Sequence, residues 1–398
     1  VTGPQNSDNL EQQNAFVRGL DNLVIDKTAV SWIDGARGAL YYRGINIAEL
    51  VTHSTFEETA YLLMCGQLPT PNQLGSFSWK IRQMMHTPEK VTRIIQELPP
   101  NSQILFTLQT ALSALASIES SHRNAEDESL FETSMRMVAQ TSVLVAAAYR
   151  HSLGTSPVFP RNDLTYSENF LYMLTGKIPS KHYARCMEIA LLLQMDNGFT
   201  SSTFSARSVA STMTNIYASA SAAVAALSGP LVGMSCLAAH EMLSEFRTGL
   251  NVEKWIRDRL DRGIRVSGLG HRVYENQDPR AQILENLLEN LAGPNEKNSD
   301  LFLLRSALAA AQTWHAERGE TTIPNADFWA AAVYEKLHLQ SYVFPAITAC
   351  ARSVGWASHI MELRADNCLY RPRSLYTGQI NVPYVPMSQR QSDRGGCL

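Results

Sequence analysis

Several arginines in the last third of this chain sit where a guanidinium needs a reason to be. Arg352 lies in the largely apolar run PAITACARSVGWASHI, Arg280 follows an Asp-Pro turn in NQDPRAQILENLL, and Arg371 and Arg373 flank a proline in LYRPRSLY. A buried guanidinium requires an anionic partner, and its planar fork grips a carboxylate with two parallel hydrogen bonds. Together such groups suit a small polycarboxylate; taken singly, each is better explained by a structural ion pair. The stretch GLGHRVYENQDPRA (268–281) is denser. Its glycines allow close backbone approach to a ligand. His271 in such a loop either donates to a ligand oxygen, shuttles protons, or is a turn histidine satisfied by backbone. Asp327, in IPNADFWAAAVYEKL, follows a Pro-Asn turn, and read alone it is a helix N-cap or first-turn acid.

These residues must be held by helices. After a β-branched, aromatic stretch with an Asp-Gly turn at 23–43, which predicts a strand or hairpin, the pattern is helical almost throughout. FEETAYLLMCG puts Phe56, Ala60, Leu63 and Met64 on one face and stops at Gly66; Thr70-Pro71 opens the next helix. Further helices are expected at 102–119, 130–152, 166–175, 181–194, 201–228, 234–247, 251–260, 279–293, 299–318, 326–337 and 343–364. The stretch 155–164 reads as loop, residues 1–16 as a flexible arm or oligomer contact, and 376–398 as an extended, then disordered tail. Many helices are apolar on more than one face and belong in a large core or a subunit interface.

The 398 residues suffice for two or three domains. A net charge of -3 without a basic stripe argues against nucleic acid as a partner. No apolar run reaches the roughly 18 residues of a membrane span. Cysteines 65, 186, 236, 350, 368 and 397 are scattered with no C-x-x-C pair. They read as reduced thiols in a cytosol-like compartment, and no metal site is expected. The polar start, VTGPQNSDNLEQQNAF, carries no secretory signal pattern. A cytoplasmic location is expected, with mitochondrial or peroxisomal placement left open.

Seven ordered segments, GARGALYYRGINIAEL, FEETAYLLMCGQLPT, SSTFSARSVAST, GLGHRVYENQDPRA, PNADFWAAAVYEKL, ARSVGWASHIMEL and RPRSLYTG, resemble the motifs of bacterial-type citrate synthases over about 18–390. The resemblance implies an all-α homodimer with a large helical domain (1–233 and 339–398) and a smaller one (234–338) that closes over the site. It implies condensation of an acyl thioester, acyl-CoA or another carrier, with an α-keto acid such as oxaloacetate, and no permanently bound cofactor. By motif, Asp327 is the base, His271 contacts the keto carbonyl, and Arg280, Arg352 and, across the dimer, Arg371 bind carboxylates. Arg18 and Arg272 are the basic residues left to face the coenzyme.

The departures carry information. Where the family has histidines before its S-T-F motif, the chain has Gln194 and Asn197 in QMDNGFT, and Asn197 is assigned to the keto acid. Val232, in GPLVG, stands where a histidine stabilises the thioester enol. Glu275 and the Thr-Ile of TTIPN replace basic residues near the coenzyme. A valine donates no hydrogen bond, and losing one oxyanion donor costs about 10²–10³ in rate. Impaired ordinary citrate synthesis is therefore expected. Three readings follow: an alkylcitrate synthase-like acyltransferase of secondary metabolism; a lyase, hydrolase, decarboxylase or dehydratase acting on a citrate-like acid; or a non-catalytic polycarboxylate-binding homologue.

Overall fold

The computed structural model describes residues 17–20, 23–121, 129–291 and 299–390. They fall into two units: 28–369, and a terminal unit described over 17–27 and 370–390. The larger unit begins with an antiparallel sheet in which β1 (Ser31–Asp34) pairs with β2 (Ala39–Tyr42), and β2 with β3 (Ile45–Asn46). The predicted hairpin is there, shorter than its sequence stretch. Among the described residues sixteen helices follow: α1 (Ile47–His53), α2 (Phe56–Cys65), α3 (Pro71–Gln83), α4 (Glu89–Glu97), α5 (Ile104–Ser121), α6 (Leu130–Ser152), α7 (Tyr166–Thr175), α8 (Lys181–Gln194), α9 (Ser201–Ala210), α10 (Ile216–Leu227), α11 (Ser235–Phe246), α12 (Val252–Asp261), α13 (Pro279–Leu291), α14 (Asp300–Ala316), α15 (Ala326–Lys336) and α16 (Phe344–Ala365).

The helices start where side chains can satisfy their free N–H groups. Thr55, Thr70, Thr165 and Ser180 each accept a hydrogen bond from the backbone N–H three residues on. One expectation fails: the predicted helix 201–228 is two helices. The Ser211 and Thr212 hydroxyls donate back to the Ser208 and Val209 carbonyls, competing with helix continuation. Met213 turns to positive φ (63°), and Asn215 caps the second helix through the Tyr217 N–H.

The core runs along α16, which is buried on every side from Phe344 to Ile360 and packs against α6. Trp356 is wholly buried and its indole N–H donates to Ser202 Oγ at 3.3 Å, fixing α9 against α16. Helices α11 to α15 pack chiefly on one another: α13 on α15, α12 on α14 and α11 on α15. No described helix is long and apolar enough to cross a membrane. In the terminal unit, the Tyr370 hydroxyl donates to Asp26, and residues 371–390 are exposed and irregular apart from a 3-10 turn at Met387–Gln389. Residues 1–16 and 391–398, with their predicted arm and tail end, lie outside the described residues.

Candidate active site

Two loops carry the site, one packed on α16 and the other on the start of α15. The first, 194–200, lies flat on the helix because Gly355 has no side chain. A Cβ there would overlap the Met195 carbonyl and the Asp196 carboxylate, and the Gly355 N–H instead donates to Met195 O at 3.1 Å. Arg352, one turn earlier, is 5% exposed. Its Nε donates to the Gln194 carbonyl at 2.7 Å and its Nη1 to Thr200 Oγ1 at 3.4 Å. It forms no ion pair with a described carboxylate. Burial pulls its pKa below the usual guanidinium value, which the charges of Asp196 and Asp327 only partly restore.

Asp196 anchors the same loop. It is wholly buried, accepts from the Ser31 hydroxyl and from the Gly198 N–H at 3.0 Å, and lies 3.3 Å from His359 Nε2. The other ring nitrogen of His359 is 3.3 Å from Arg207 Nη1, which also donates to Glu362 Oε2 at 3.1 Å. Burial works to raise the Asp196 pKa, but His359, Arg352 and Ser31 together hold it below the usual carboxylate value. Next to it, Asn197 Oδ1 is buried without a hydrogen-bond partner among the described residues.

The second loop carries the motif histidine. Gly268 has φ 81°, and a Cβ there would overlap the backbone of Phe328. Only glycine meets both conditions. Gly268 O accepts from the Asn325 N–H (2.8 Å), the Gly270 N–H donates to Ile323 O (2.8 Å), and Asn325 Nδ2 donates to Gly270 O (3.0 Å). This zipper ties the loop that carries His271 to the start of α15, which carries Asp327, 56 positions later in sequence. Asn325, not Asp327, caps α15, accepting from the Asp327 N–H at 3.0 Å. Asp327 is a first-turn acid whose pKa burial raises, with Arg280 and the Ser235 hydroxyl pulling it back only in part.

His271 Nδ1 accepts from the backbone N–H groups of Val273 (3.0 Å) and Tyr274 (3.1 Å). Burial, helped by the charge of Arg280, lowers its pKa to about 4. The ring is therefore neutral at pH 7 and, with Nδ1 accepting, its proton sits on Nε2, a donor. Arg280 is buried and grips Asp278 with Nε at 2.9 Å and Nη2 at 2.8 Å; Asp278 Oδ2 also accepts the Ala326 N–H at 3.1 Å, tying the starts of α13 and α15. The tip of the loop is clasped by the β1–β2 turn: the Glu275 N–H donates to Gly35 O at 3.0 Å and Asn276 Nδ2 to Ala36 O at 2.7 Å.

His271, Arg280, Arg352 and Asp327 thus form one electrostatic cluster. Val232 lies in the turn between α10 and α11, its N–H donating to Gly229 O at 3.0 Å. That turn adjoins Asp327 through Ser235 and brings no histidine. The Gln194 side chain is buried, whereas Arg272 and Glu275 are exposed. Arg371 belongs to the terminal unit, exposed, with Nη1 donating to Pro372 O at 3.1 Å. Arg18 begins the turn Arg18–Leu20, and its side chain lies outside the described structure. No group of three described His, Cys, Asp or Glu residues is placed to hold a metal. Sequence reasoning missed Tyr274, Ser235 and the Asp196–His359 pair. The one available signal was spacing: His359 follows Arg352 by seven residues, two turns along one helix face.

A family profile described as "Citrate synthase, C-terminal domain" matches residues 19–373. The chain is 34% identical to a citrate synthase of Deinococcus radiodurans, over 94% of this chain and 99% of that protein. It is 29% identical to a 2-methylcitrate synthase of Shewanella oneidensis, over 94% and 97%. A Thermoplasma acidophilum citrate synthase, solved as a ternary complex with carboxymethyl coenzyme A and oxaloacetate, superposes with a TM-score of 0.87 at 28% identity, covering 94% of this chain and 98% of that one. A helical chain matched over nearly its whole length in sequence and in backbone is a member of that family: this protein belongs to the citrate synthase family.

Proposed function

We propose that the chain condenses an acyl thioester with an α-keto dicarboxylic acid such as oxaloacetate, and that it prefers an acyl group larger or more easily enolised than acetyl, as in alkylcitrate synthesis. The observation that carries this reading is a desolvated carboxylate, Asp327, beside two buried guanidiniums, one of which, Arg352, has no ion-pair partner among the described residues. Arg352 and the unused Nη1 edge of Arg280 hold the ligand carboxylates, with Arg371 of a second copy completing the grip in a homodimer. His271 donates its Nε2–H to the keto oxygen. Asp327 takes the thioester's α-proton, its raised pKa making it the stronger base. The enol carbon attacks the keto carbon, and hydrolysis of the thioester releases the thiol. Residues 234–338 close over the reactants and exclude water.

The acyl preference rests on Val232. With no donor there, a thioester whose α-carbon is already acidic loses least. Thiol release with oxaloacetate and acetyl-, propionyl- or β-ketoacyl-CoA tests it. We expect kcat/KM at least about 10-fold higher for a longer or β-keto donor, and Val232→His to narrow the gap. Acetyl-CoA turnover in the ordinary range of about 1–10³ s⁻¹, above every other donor, overturns the preference. A second reading, lyase or dehydratase chemistry on an alkylcitrate-like acid, is favoured by Asn197 Oδ1, which a tertiary hydroxyl would satisfy. Consumption of such an acid without added thioester distinguishes it.

A further inference from the structure

One hydroxyl in this site does no work for the fold. Tyr274 is 2% exposed, and its Oη is buried with no hydrogen-bond partner among the described residues. Its ring is well fixed: it lies 4.5 Å, centroid to centroid, from the His271 imidazole, and the Arg280 guanidinium carbon stands 5.6 Å from its centre. Fixing the ring needs no hydroxyl, and a phenylalanine would pack the same way. A buried hydroxyl left unpaired is costly, so native proteins keep few of them.

The surroundings say what is missing. The hydroxyl lies within electrostatic reach of Arg280, Arg352 and Asp278. Burial pushes its pKa up to about 12, so at neutral pH it holds its proton and is a donor. Asp278 already occupies Nε and Nη2 of Arg280, leaving that arginine an incomplete grip on any ligand. We propose that Tyr274 is a substrate-binding residue whose hydroxyl donates to a ligand carboxylate oxygen held between Arg280 and Arg352. The proposal rests on the polycarboxylate reading above and adds a contact to it. It also gives the site a donor of fixed direction, set by the ring's tilted contact with His271, where a guanidinium alone would accept several poses.

Tyr274→Phe tests this, read by calorimetric titration and by melting with and without ligand. The probes are oxaloacetate and succinate, which share two carboxylates and differ at the keto group. Because the lost hydroxyl has no partner among the described residues, the unliganded melting temperature should hold or rise. Affinity for both probes should fall on the order of 10-fold, by the same factor, as expected for a hydrogen bond to a charged group. In turnover, KM for the keto acid should rise with kcat little changed. Unchanged affinity in the variant, with the wild type binding both probes, overturns the assignment of Tyr274 and leaves the polycarboxylate site standing. A loss confined to oxaloacetate overturns the carboxylate contact, and a wild type that binds neither probe overturns both readings together. A fall in the unliganded melting temperature reveals a structural partner for the hydroxyl and also overturns the proposal.

Discussion

Replacing Arg352 by methionine separates a guanidinium kept for a ligand from one kept for the fold. The side chain is 5% exposed and forms no ion pair with a described carboxylate. Methionine fills similar space with a flexible apolar chain. Two terms oppose each other. Removing the Nε donor leaves the Gln194 carbonyl unpaired, at a cost of about 1–3 kcal/mol. Replacing a poorly compensated buried charge by an apolar side chain returns about 1–4 kcal/mol. The net change runs from about 2 kcal/mol of destabilisation to about 3 kcal/mol of stabilisation. With an unfolding entropy of about 2.1 cal/mol/K per residue, a chain of 398 residues shifts its Tm by between about 2 °C down and about 4 °C up. Had Arg352 been half of a structural ion pair, the loss of about 3–5 kcal/mol would lower Tm by about 4–6 °C. Binding should behave oppositely: a ligand carboxylate left buried without its partner loses about 2–5 kcal/mol, upwards of 30-fold in affinity. Scanning calorimetry of both proteins with and without oxaloacetate reads both quantities. A Tm drop beyond about 4 °C with the ligand-induced shift intact would refute the reasoning.

Asp327→Asn should leave folding nearly untouched, because Asn325 keeps the cap and the lost first-turn charge, about 0.3–1 kcal/mol, is offset by relief of a desolvated carboxylate. Turnover should fall by about 10²–10⁴; in the wild type it should rise with pH through a pKa above the usual carboxylate range, and a profile flat across that range removes Asp327 as base. For His271 the folded pKa, about 4, lies below the ordinary value near 6.5. The unfolded chain therefore binds the extra proton first, so the contribution is complete above about pH 6.5 and is lost as pH falls toward 4. After allowance for its partial exposure this is about 1–2 kcal/mol, and His271→Gln should flatten that part of a Tm-against-pH curve. An unchanged curve means the ring is not held neutral.

The periodic helices were readable because their apolar faces and Ser, Thr or Asn caps agree, as at Thr70-Pro71 and Thr165. The break at 211–215 was not, since a run of alanine and serine fits one long helix and only side-chain hydrogen bonds near Thr214 and Asn215 decide otherwise. At the site, the neighbours of His271, Arg280 and Arg352 raised the question of chemistry without deciding it, and Asp327, by itself a first-turn acid, was singled out only by the family resemblance. Two things were hidden. That Arg280 is half engaged by Asp278 while Arg352 is not is a matter of side-chain geometry. The Asp196–His359–Arg207–Glu362 chain joins residues up to 166 apart, and no local pattern marks it.

The clasp between the β1–β2 turn and the tip of the histidine loop has a consequence for how the chain is made. The ribosome delivers residues 31–42 first, yet Gly35 and Ala36 gain their hydrogen-bond partners only with residues 275 and 276, some 240 positions later. Ser31 waits for Asp196, and the Ala29 N–H for Glu362. Each closure spans a loop long enough that its entropy must be met before the contact returns anything. At a synthesis rate of about 5–20 residues per second, the hairpin remains without these partners for about 10 s or more. During that time its exposed Trp32 and the unpaired outer edge of β1 are open to other chains. The hairpin thus gains its last partners only after some 240 further residues have been made.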